Sequence, residues 1–549
     1  MRSLVRRCDG SHSISVASVK SPSVPLRWLA LALIAALAAA LRLADLGAVR
    51  VDPFYDAAVR SMGASWHNFF FGAYEPGGSV SIDKPPVDLW LQVASVKLLG
   101  WGSAALKLPE ALAGTAAVPL LYGAIRRPFG TIAGLVAALA LAVLPIEVIT
   151  ARSDTMDAVM MLLLVLALFL LVRACASEQR GTVWLIGAAA ALGIAFNVKL
   201  LESLVALPGL FALALLGMPP GAARRTRQLL AATAVYILVA LSWLGATFLF
   251  AAHERPWAIG SANGSAWNAA FVFNGTERIS GKAAEVGQAR GGAQPIAPPS
   301  PTRLLARSGQ LPGKWLGWEA LAALLLGLCA LIVLARRRAE RLPRATAIGM
   351  FAWLATGVVL FSQMARLHPR YVESFTPAIA GMFGIGVGLI AVAGNRARWL
   401  ALPLTALLAL PLAISIDAVK ANVTDAGNVG GLAPAEQQAL SAYLLPRQGG
   451  AHYEFAAGSA TAVASLIVQD QRPVLMLTTY NGRPLTSVAG LKLAIARGEV
   501  RYAFLNSLCG SHSTKTTSGC APAARWVRAH AIDVSPRAGL APGLLWRLP

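Results

Sequence analysis

Charge is what this chain has least of. Only 13% of its 549 residues are Asp, Glu, Lys or Arg, while 56% are hydrophobic, against roughly a quarter charged in an ordinary soluble domain. That scarcity excludes a water-soluble globular chain and points to a polytopic membrane protein. The formal charge of +22 does not restore a nucleic-acid reading, because Lys and Arg fall in short clusters between apolar runs rather than on a basic soluble face. Other absences narrow the chemistry. There is no Walker-type Gly-Lys-Ser/Thr loop and no Cys-x-x-Cys pair, so ATP-driven transport and thiol redox chemistry have no support. No internal repeat is visible, whereas secondary transporters are often built from two repeated halves.

What is present is a series of apolar segments long enough to cross a bilayer. They fall near 28–47, 106–124, 129–149, 156–173, 182–197, 200–217, 229–250, 315–335, 345–362, 372–393 and 399–416, about eleven spans in all. The segment 86–100 is too interrupted to span and reads as an interfacial helix. With the basic N-terminus (Arg2, Arg6, Arg7, Lys20, Arg27) inside, every second loop should be cytoplasmic. Those loops hold Arg126 and Arg127; Arg173 and Arg180; Arg224, Arg225 and Arg227; Arg336 to Arg344; and Arg396 with Arg398. This is the positive-inside pattern. Residues 1–27 are then a cytoplasmic basic N-terminus, and residues 28–45 read as an uncleaved anchor rather than a signal peptide, the apolar run being long for a cleavable one.

The same topology puts 48–105, 150–155, 198–199, 251–314, 363–371 and the tail from 417 on the outer face. The 133-residue tail, 417–549, changes pattern. Strand-like "HYEFAAG", "RPVLMLTTY", "VRYAFLN" and "LLWRL" alternate with helix-like "PAEQQALSAYLL", "ATAVASLIVQDQ", "TSVAGLKLAIARG" and "AARWVRAHAI". That alternation predicts a small extracytoplasmic α/β domain beside an otherwise all-α membrane bundle. Cys175 and Cys329 fall at or within spans, where a thiol serves as a small apolar residue; Cys509 and Cys520 bracket "GSHSTKTTSG" in the tail and are expected to form a disulfide there. Residues 281–301 read as a flexible Gly/Pro/Ala segment.

Nearly all the chemistry-bearing residues lie on that outer face. The stretch 51–92 alone carries Asp52, Asp56, Arg60, Glu75, Asp83, Lys84 and Asp88. Each taken singly is adequately explained as a solvated juxtamembrane charge. The topology, however, brings a second set to the same level: Arg152, Asp154, Asp157, Lys199, Glu202, Arg278, Arg366, His368 and Arg370. Charges at membrane depth are costly unless paired or facing an aqueous cavity. Cations and acids converging there suit a phosphate-bearing lipid headgroup held by Lys84, Lys199, Arg278 and Arg370, with a carboxylate free to take a proton from an acceptor hydroxyl. The aromatic run "SWHNFFF" (Trp66, His67, Phe69, Phe70, Phe71) either anchors a helix at the interface or stacks on a sugar. Three Asn-x-Ser/Thr triplets, at Asn263, Asn274 and Asn422, are short enough to arise by chance.

In order along the chain, "DPFYDAAVRSMGASWHNFFFGA", "SIDKPP", "RSDTMD", "FNVKLLE" and "HPRY" resemble the polyprenyl-phosphate-sugar-dependent glycosyltransferases of the GT-C superfamily. The likeness is to the protein O-mannosyltransferases (glycosyltransferase family 39), especially a bacterial mannosyltransferase-like branch, and to the lipid A aminoarabinose transferases. It covers residues 28 to about 393 and, less specifically, the tail. It implies that Asp52 is the base for in-line attack on the anomeric carbon, with inversion, and that Lys84, Lys199 and Arg278 stabilise the departing phosphate, with Arg370 and Tyr371 in the donor-binding set. It further implies that Asp83 and Asp157, with His368 or His253, match a divalent-metal site for zinc, magnesium or manganese. The expected partners are a polyprenyl-phosphate-linked sugar, a lipid, protein or cell-wall glycan acceptor, and membrane lipids. The relatives commonly have an Asp-Glu pair and an Arg soon after the first span, where this chain has Asp52-Pro53 and Tyr55; Asp56 therefore stands beside Asp52 as a candidate base. A transporter or lipid flippase is the alternative class, but its key charges belong near the midplane on broken helices.

Overall fold

The computed structural model describes residues 24–219, 221–277, 298–306, 311–365, 367–393, 397–460, 462–479, 483–505 and 521–549. Arg278, Arg366, Cys509, Cys520 and nearly all of the 281–301 segment lie outside the described residues.

Eight helices among the described residues are long and apolar enough to cross a membrane. Two of the eight are longer than one crossing requires. Helix α5 (Ser103–Val143) has 41 residues, about 60 Å at 1.5 Å per residue, twice the hydrocarbon thickness of about 30 Å. It breaks at Gly130, whose φ of 85° is a left-handed value that glycine adopts without a Cβ clash. The 37-residue apolar stretch Gly181–Gly217 divides in the same way into α8 (Gly181–Lys199) and α9 (Leu207–Gly217). The two halves of each correspond to neighbouring expected spans.

One expected span departs from this set. Over 229–250 the chain forms α10 (Ala222–Ala240), which starts on Arg224, Arg225 and Arg227 and ends before a separate short helix at Ser242–Thr247. It is not among the eight, because arginines dilute its apolar stretch and the helix stops at Ala240.

The first helix, α1 (Val24–Leu43), packs on α5, which in turn packs on α7 (Asp157–Cys175) and on the late helix Thr376–Ala391. Between them lie α2 (Pro53–Met62), α3 (Trp66–Phe71), α4 (Val87–Leu99) and α6 (Pro145–Thr150). Outward-facing Leu33, Leu98, Val183, Leu238, Leu249 and Trp399 give the bundle an apolar exterior, as a lipid-embedded protein needs. Buried charges serve as internal caps: Glu110 Oε2 accepts the N–H groups of Ala158 (2.9 Å) and Val159 (3.1 Å) at the start of α7, and Arg42 donates to the carbonyls of Leu141 and Ala142. Those groups belong to helix ends that lack intrahelical partners.

The tail folds as expected into a small α/β layer. Its sheet runs in the order β4 (Leu475–Met476), β3 (Ala456–Ala457), β5 (Tyr502–Phe504), β7 (Leu545–Arg547), β6 (Ile532–Asp533). Strand β3 is parallel to β4 and β5; β7 is antiparallel to β5 and β6. All four strand-like runs contribute, and β6 comes from the end of the last helix-like run, where "AI" leaves the helix Pro522–His530. A separate two-stranded parallel sheet, β1 (Val80–Ser81) with β2 (Trp257–Ala258), ties the first long loop to the 251–265 loop.

Candidate active site

The opening stretch is not a solvated loop. Asp52, Asp56, Glu75, Asp83 and Asp88 are all buried, and they separate into structural and potentially reactive groups. Glu75 closes a turn by accepting N–H bonds from Gly77 (2.6 Å) and Ser79 (2.5 Å), and reaches Val474 N (3.3 Å) in the α/β layer. Arg60 lies 3.8 Å over the Trp101 ring and donates to Val468 O. Asp88 is bonded by Gln92 Nε2 at 2.8 Å. These three therefore carry packing and docking.

Asp52 is the N-cap of α2, preceding Pro53 at the first helical position, the arrangement both residue types favour. Its Oδ1 accepts Phe54 N at 3.1 Å, its Oδ2 accepts Gly427 N at 2.8 Å, and its own N–H donates to Asp154 Oδ2 at 2.7 Å. Asp56, one turn on, lies against the Asp154 carboxyl. Burial first, then the neighbouring Asp154 charge, raise the Asp52 carboxyl above the ordinary range, while Arg370 opposes the shift. Asp56 is raised further, again by burial and then by Asp154. Buried beside the Asp154 charge, Asp52 and Asp56 hold protons more readily than isolated carboxyls.

Residues 422–428, which lead from the last membrane helix to the α/β layer, lie across this cluster like a strap. Arg50 donates to Gly427 O (2.5 Å) and Ala426 O (2.6 Å). Ser153 bonds Thr424 Oγ1 and Asp425 N, each at 3.0 Å, and Arg370 Nε pairs with Asp425 Oδ2 at 3.4 Å. The fit is close: a Cβ added at Gly427 would stand 2.8 Å from Asp52 Oδ2. Burial pushes the Asp425 carboxyl up to about 7, with Arg370 acting against the rise. Arg50, Asp425 and Gly427 were not singled out from the sequence, since nothing in a polar linker such as "NVTDAGN" marks which distant helix it covers.

A second group sits beside the first. Lys84 Nζ pairs with both oxygens of Asp83 (2.9 and 3.0 Å). Lys199 pairs with Asp157 and, at 3.1 Å, with Glu202. Leu200 between them has φ 47°, a left-handed value rare for a side chain branched like leucine, and it turns α8 into the following 3-10 helix Leu200–Ala206. Lys84, Lys199 and Tyr371 line a small cavity of about 70 Å³ whose other walls include Leu201, Val205, Leu360, Phe361 and Met364. Tyr55, three residues after Asp52, lies within electrostatic reach of Asp52, Asp83, Lys199 and Arg370 and so stands between the two groups.

The expected metal set does not assemble. Asp83 and Asp157 are each engaged by a lysine, the His368 ring packs on Tyr371 at 5.1 Å, and among the described residues no three His, Cys, Asp or Glu side chains converge as a metal site would need. His253 is elsewhere, on the wall of a different cavity. A lysine ammonium in contact with each carboxylate competes directly with a cation there, so the residues present do not fit a resident metal.

The arrangement of helices and loops is the GT-C glycosyltransferase fold. ArnT from Cupriavidus metallidurans in the apo state superposes with a TM-score of 0.57 at 17% identity, covering 83% of this chain and 87% of that one; the same protein bound to undecaprenyl phosphate gives 0.56 at 16%, over 86% and 89%. The apo Archaeoglobus fulgidus oligosaccharyltransferase gives 0.56 at 14%, over 88% and 69%. In sequence, residues 83–244 match the family described as "Dolichyl-phosphate-mannose-protein mannosyltransferase" and residues 440–530 the family "Putative mannosyltransferase YkcB-like, C-terminal". Two Bacillus subtilis (strain 168) relatives are "Putative mannosyltransferase YycA", 35% identical over 42% of this chain, and "Putative mannosyltransferase YkcB", 34% identical over 43%. Each match spans about a third, 33%, of the relative's own length. The superfamily resemblance read from the five motifs thus holds.

Proposed function

We propose that the chain is a membrane glycosyltransferase that moves a sugar from a polyprenyl phosphate to an acceptor hydroxyl, with inversion. One observation carries this reading: an apolar-walled cavity holding Lys84 and Lys199 adjoins a buried carboxylate cluster at one end of the bundle. A polyprenyl-phosphate donor has matching halves, an anionic phosphate that gains a second negative charge as the sugar leaves and an apolar chain. The lysines supply charge-assisted bonds to the head, and Arg370 adds a buried Nη1 donor that has no protein partner among the described residues. The loop arginines support an orientation with this end of the bundle outside the cytoplasm.

In the reaction the acceptor oxygen attacks the anomeric carbon as the bond from that carbon to the phosphate oxygen breaks. The electron pair leaves on the phosphate, where the cations stabilise it. The acceptor proton passes to Asp52, whose raised affinity for protons suits a base. Each Asp52 oxygen accepts one backbone N–H in the resting arrangement, which leaves each a further lone-pair site for an acceptor hydroxyl.

The direct test uses the full chain in lipid vesicles with undecaprenyl-phosphate-linked hexose and pentose donors, measuring undecaprenyl phosphate release, and mass spectrometry of lipids that co-purify with the protein. Transfer from at least one donor is expected. A chain that neither binds polyprenyl phosphate nor turns over any such donor overturns the reading.

A further inference from the structure

A larger cavity, of about 420 Å³, lies beyond the β1–β2 sheet and takes no part in the chemistry described above. Its volume falls within the roughly 300–1,000 Å³ typical of small-ligand sites. Three aromatic side chains wall it, Phe71 from α3, Trp243 from the short helix after α10, and Trp257 from β2. Polar groups interleave with them: Ser79, Thr247 and Asn263 among others, and among the described residues His253 and Arg255 are its titratable lining groups. No carboxylate of the described residues lines it; Glu254, between the two, accepts Ala251 N at 2.9 Å.

Two donors there are unspent. Trp257 Nε1 and Arg255 Nε are buried and have no hydrogen-bond partner among the described residues, a condition that costs free energy unless a ligand or water fills it. By contrast, the Trp243 Nε1 donor is already taken by Phe70 O at 2.8 Å. Flat ring faces beside N–H and O–H donors, without acid, are the chemistry that recognises a sugar ring, whose faces carry C–H groups and whose rim carries hydroxyls. Neutral and anionic sugars both fit, because the charged groups are cationic.

We infer that this cavity is a carbohydrate subsite for a sugar residue of the acceptor, making the acceptor a glycan. The inference rests on the glycosyl-transfer reading. Position supports it: Ser81 lines the cavity, and Asp83, two residues along the chain, holds Lys84 in the phosphate pocket. Asn274 ties the same point down by donating to Asp83 O at 2.7 Å. The cavity is partly open, with Leu485 of the α/β layer on its wall, so the end residue of a glycan chain can enter it while the rest of the chain stays outside.

The test titrates gluco-, galacto- and manno-configured disaccharides, neutral and uronic, into the full chain in detergent, read by tryptophan fluorescence, with undecaprenyl phosphate titrated in parallel. At least one disaccharide should saturate the wild type. Arg255→Gln and Trp257→Phe, which keeps the ring and protects folding, should each weaken it roughly tenfold, the loss of one good hydrogen bond. Undecaprenyl phosphate affinity should stay unchanged in both. If no sugar binds while undecaprenyl phosphate does, the subsite is wrong and the transferase reading survives; saturation by unstructured peptides alone has the same meaning. Equal loss of undecaprenyl phosphate binding in both variants would assign the cavity to the donor sugar instead and overturn the acceptor assignment. Failure of the wild type to bind undecaprenyl phosphate strikes the functional reading itself.

Discussion

Two sets of buried acids draw on the same two stretches of the sequence, 52–83 and 154–157, and behave as opposites. Asp83 and Asp157 each hold a lysine, whereas Asp52, Asp56 and Asp154 crowd one another and make no ion pair within 4 Å among the described residues. The first set holds two ammonium groups at the wall of an apolar-lined cavity. In the second, burial and the neighbouring Asp154 make negative charge unfavourable on Asp52 and Asp56, so that a proton is welcome there. Pairing makes a clamp for an anion; crowding makes a base.

The comparison breaks most easily at Asp52. Asp52→Asn retains an N-cap oxygen for α2 but cannot take a proton, so transfer should fall about 10²–10⁴-fold, with a stability loss of only about 1–2 kcal/mol from the acceptor it no longer offers the Gly427 N–H. Full activity would remove Asp52 as the base and leave it as a cap alone. On the clamp side, Lys84→Ala should weaken undecaprenyl phosphate binding on the order of tenfold to a hundredfold, the range for a charge-assisted bond. Unaltered affinity would show that Lys84 serves only Asp83.

A smaller effect concerns the strap. Asp425 is raised from the ordinary carboxylate range to about 7 by burial, with Arg370 opposing. A raised acid pKa means that the folded strap binds protons more readily than the open one. Its contact is therefore strongest below about pH 4, the ordinary carboxylate value, and weakens as pH rises toward about 7. Hydrogen-exchange protection factors at residues 424–428, which remove the intrinsic rise of amide exchange with pH, should fall over that window, and Asp425→Asn should flatten the profile. A wild-type profile without slope there contradicts the linkage. The mildest change is Gly427→Ala, whose Cβ would crowd Asp52 Oδ2. It should loosen the strap, giving faster exchange and a modest rise in donor hydrolysis without acceptor; tighter protection would show that the strap is simply packing.

Much of this was legible along the chain. The apolar lengths marked the spans because a bilayer sets one length scale for every crossing, and period-two runs such as "VRYAFLN" marked strands of the tail. Asp52, Lys84 and Lys199 stood out because a charge beside an apolar run needs a reason. The merging of spans at Gly130 was less visible, since one glycine in an apolar stretch does not announce its φ. Nor could spacing reveal that Asp83 would choose Lys84 over a histidine and another acid, which is what dissolves the expected metal set.

The sequence by itself determined a membrane bundle, an α/β tail and a set of charges that had to be paired, because hydrophobic length and the cost of burying charge act locally along the chain. Which charge met which was decided only in three dimensions. Asp154 comes to Asp52 across 102 positions and Gly427 across 375, and the orphaned N–H of Trp257 becomes informative only once loops from distant parts of the chain enclose it. Electrostatic and hydrogen-bond energies depend on distance in space, and the tertiary fold alone sets that distance.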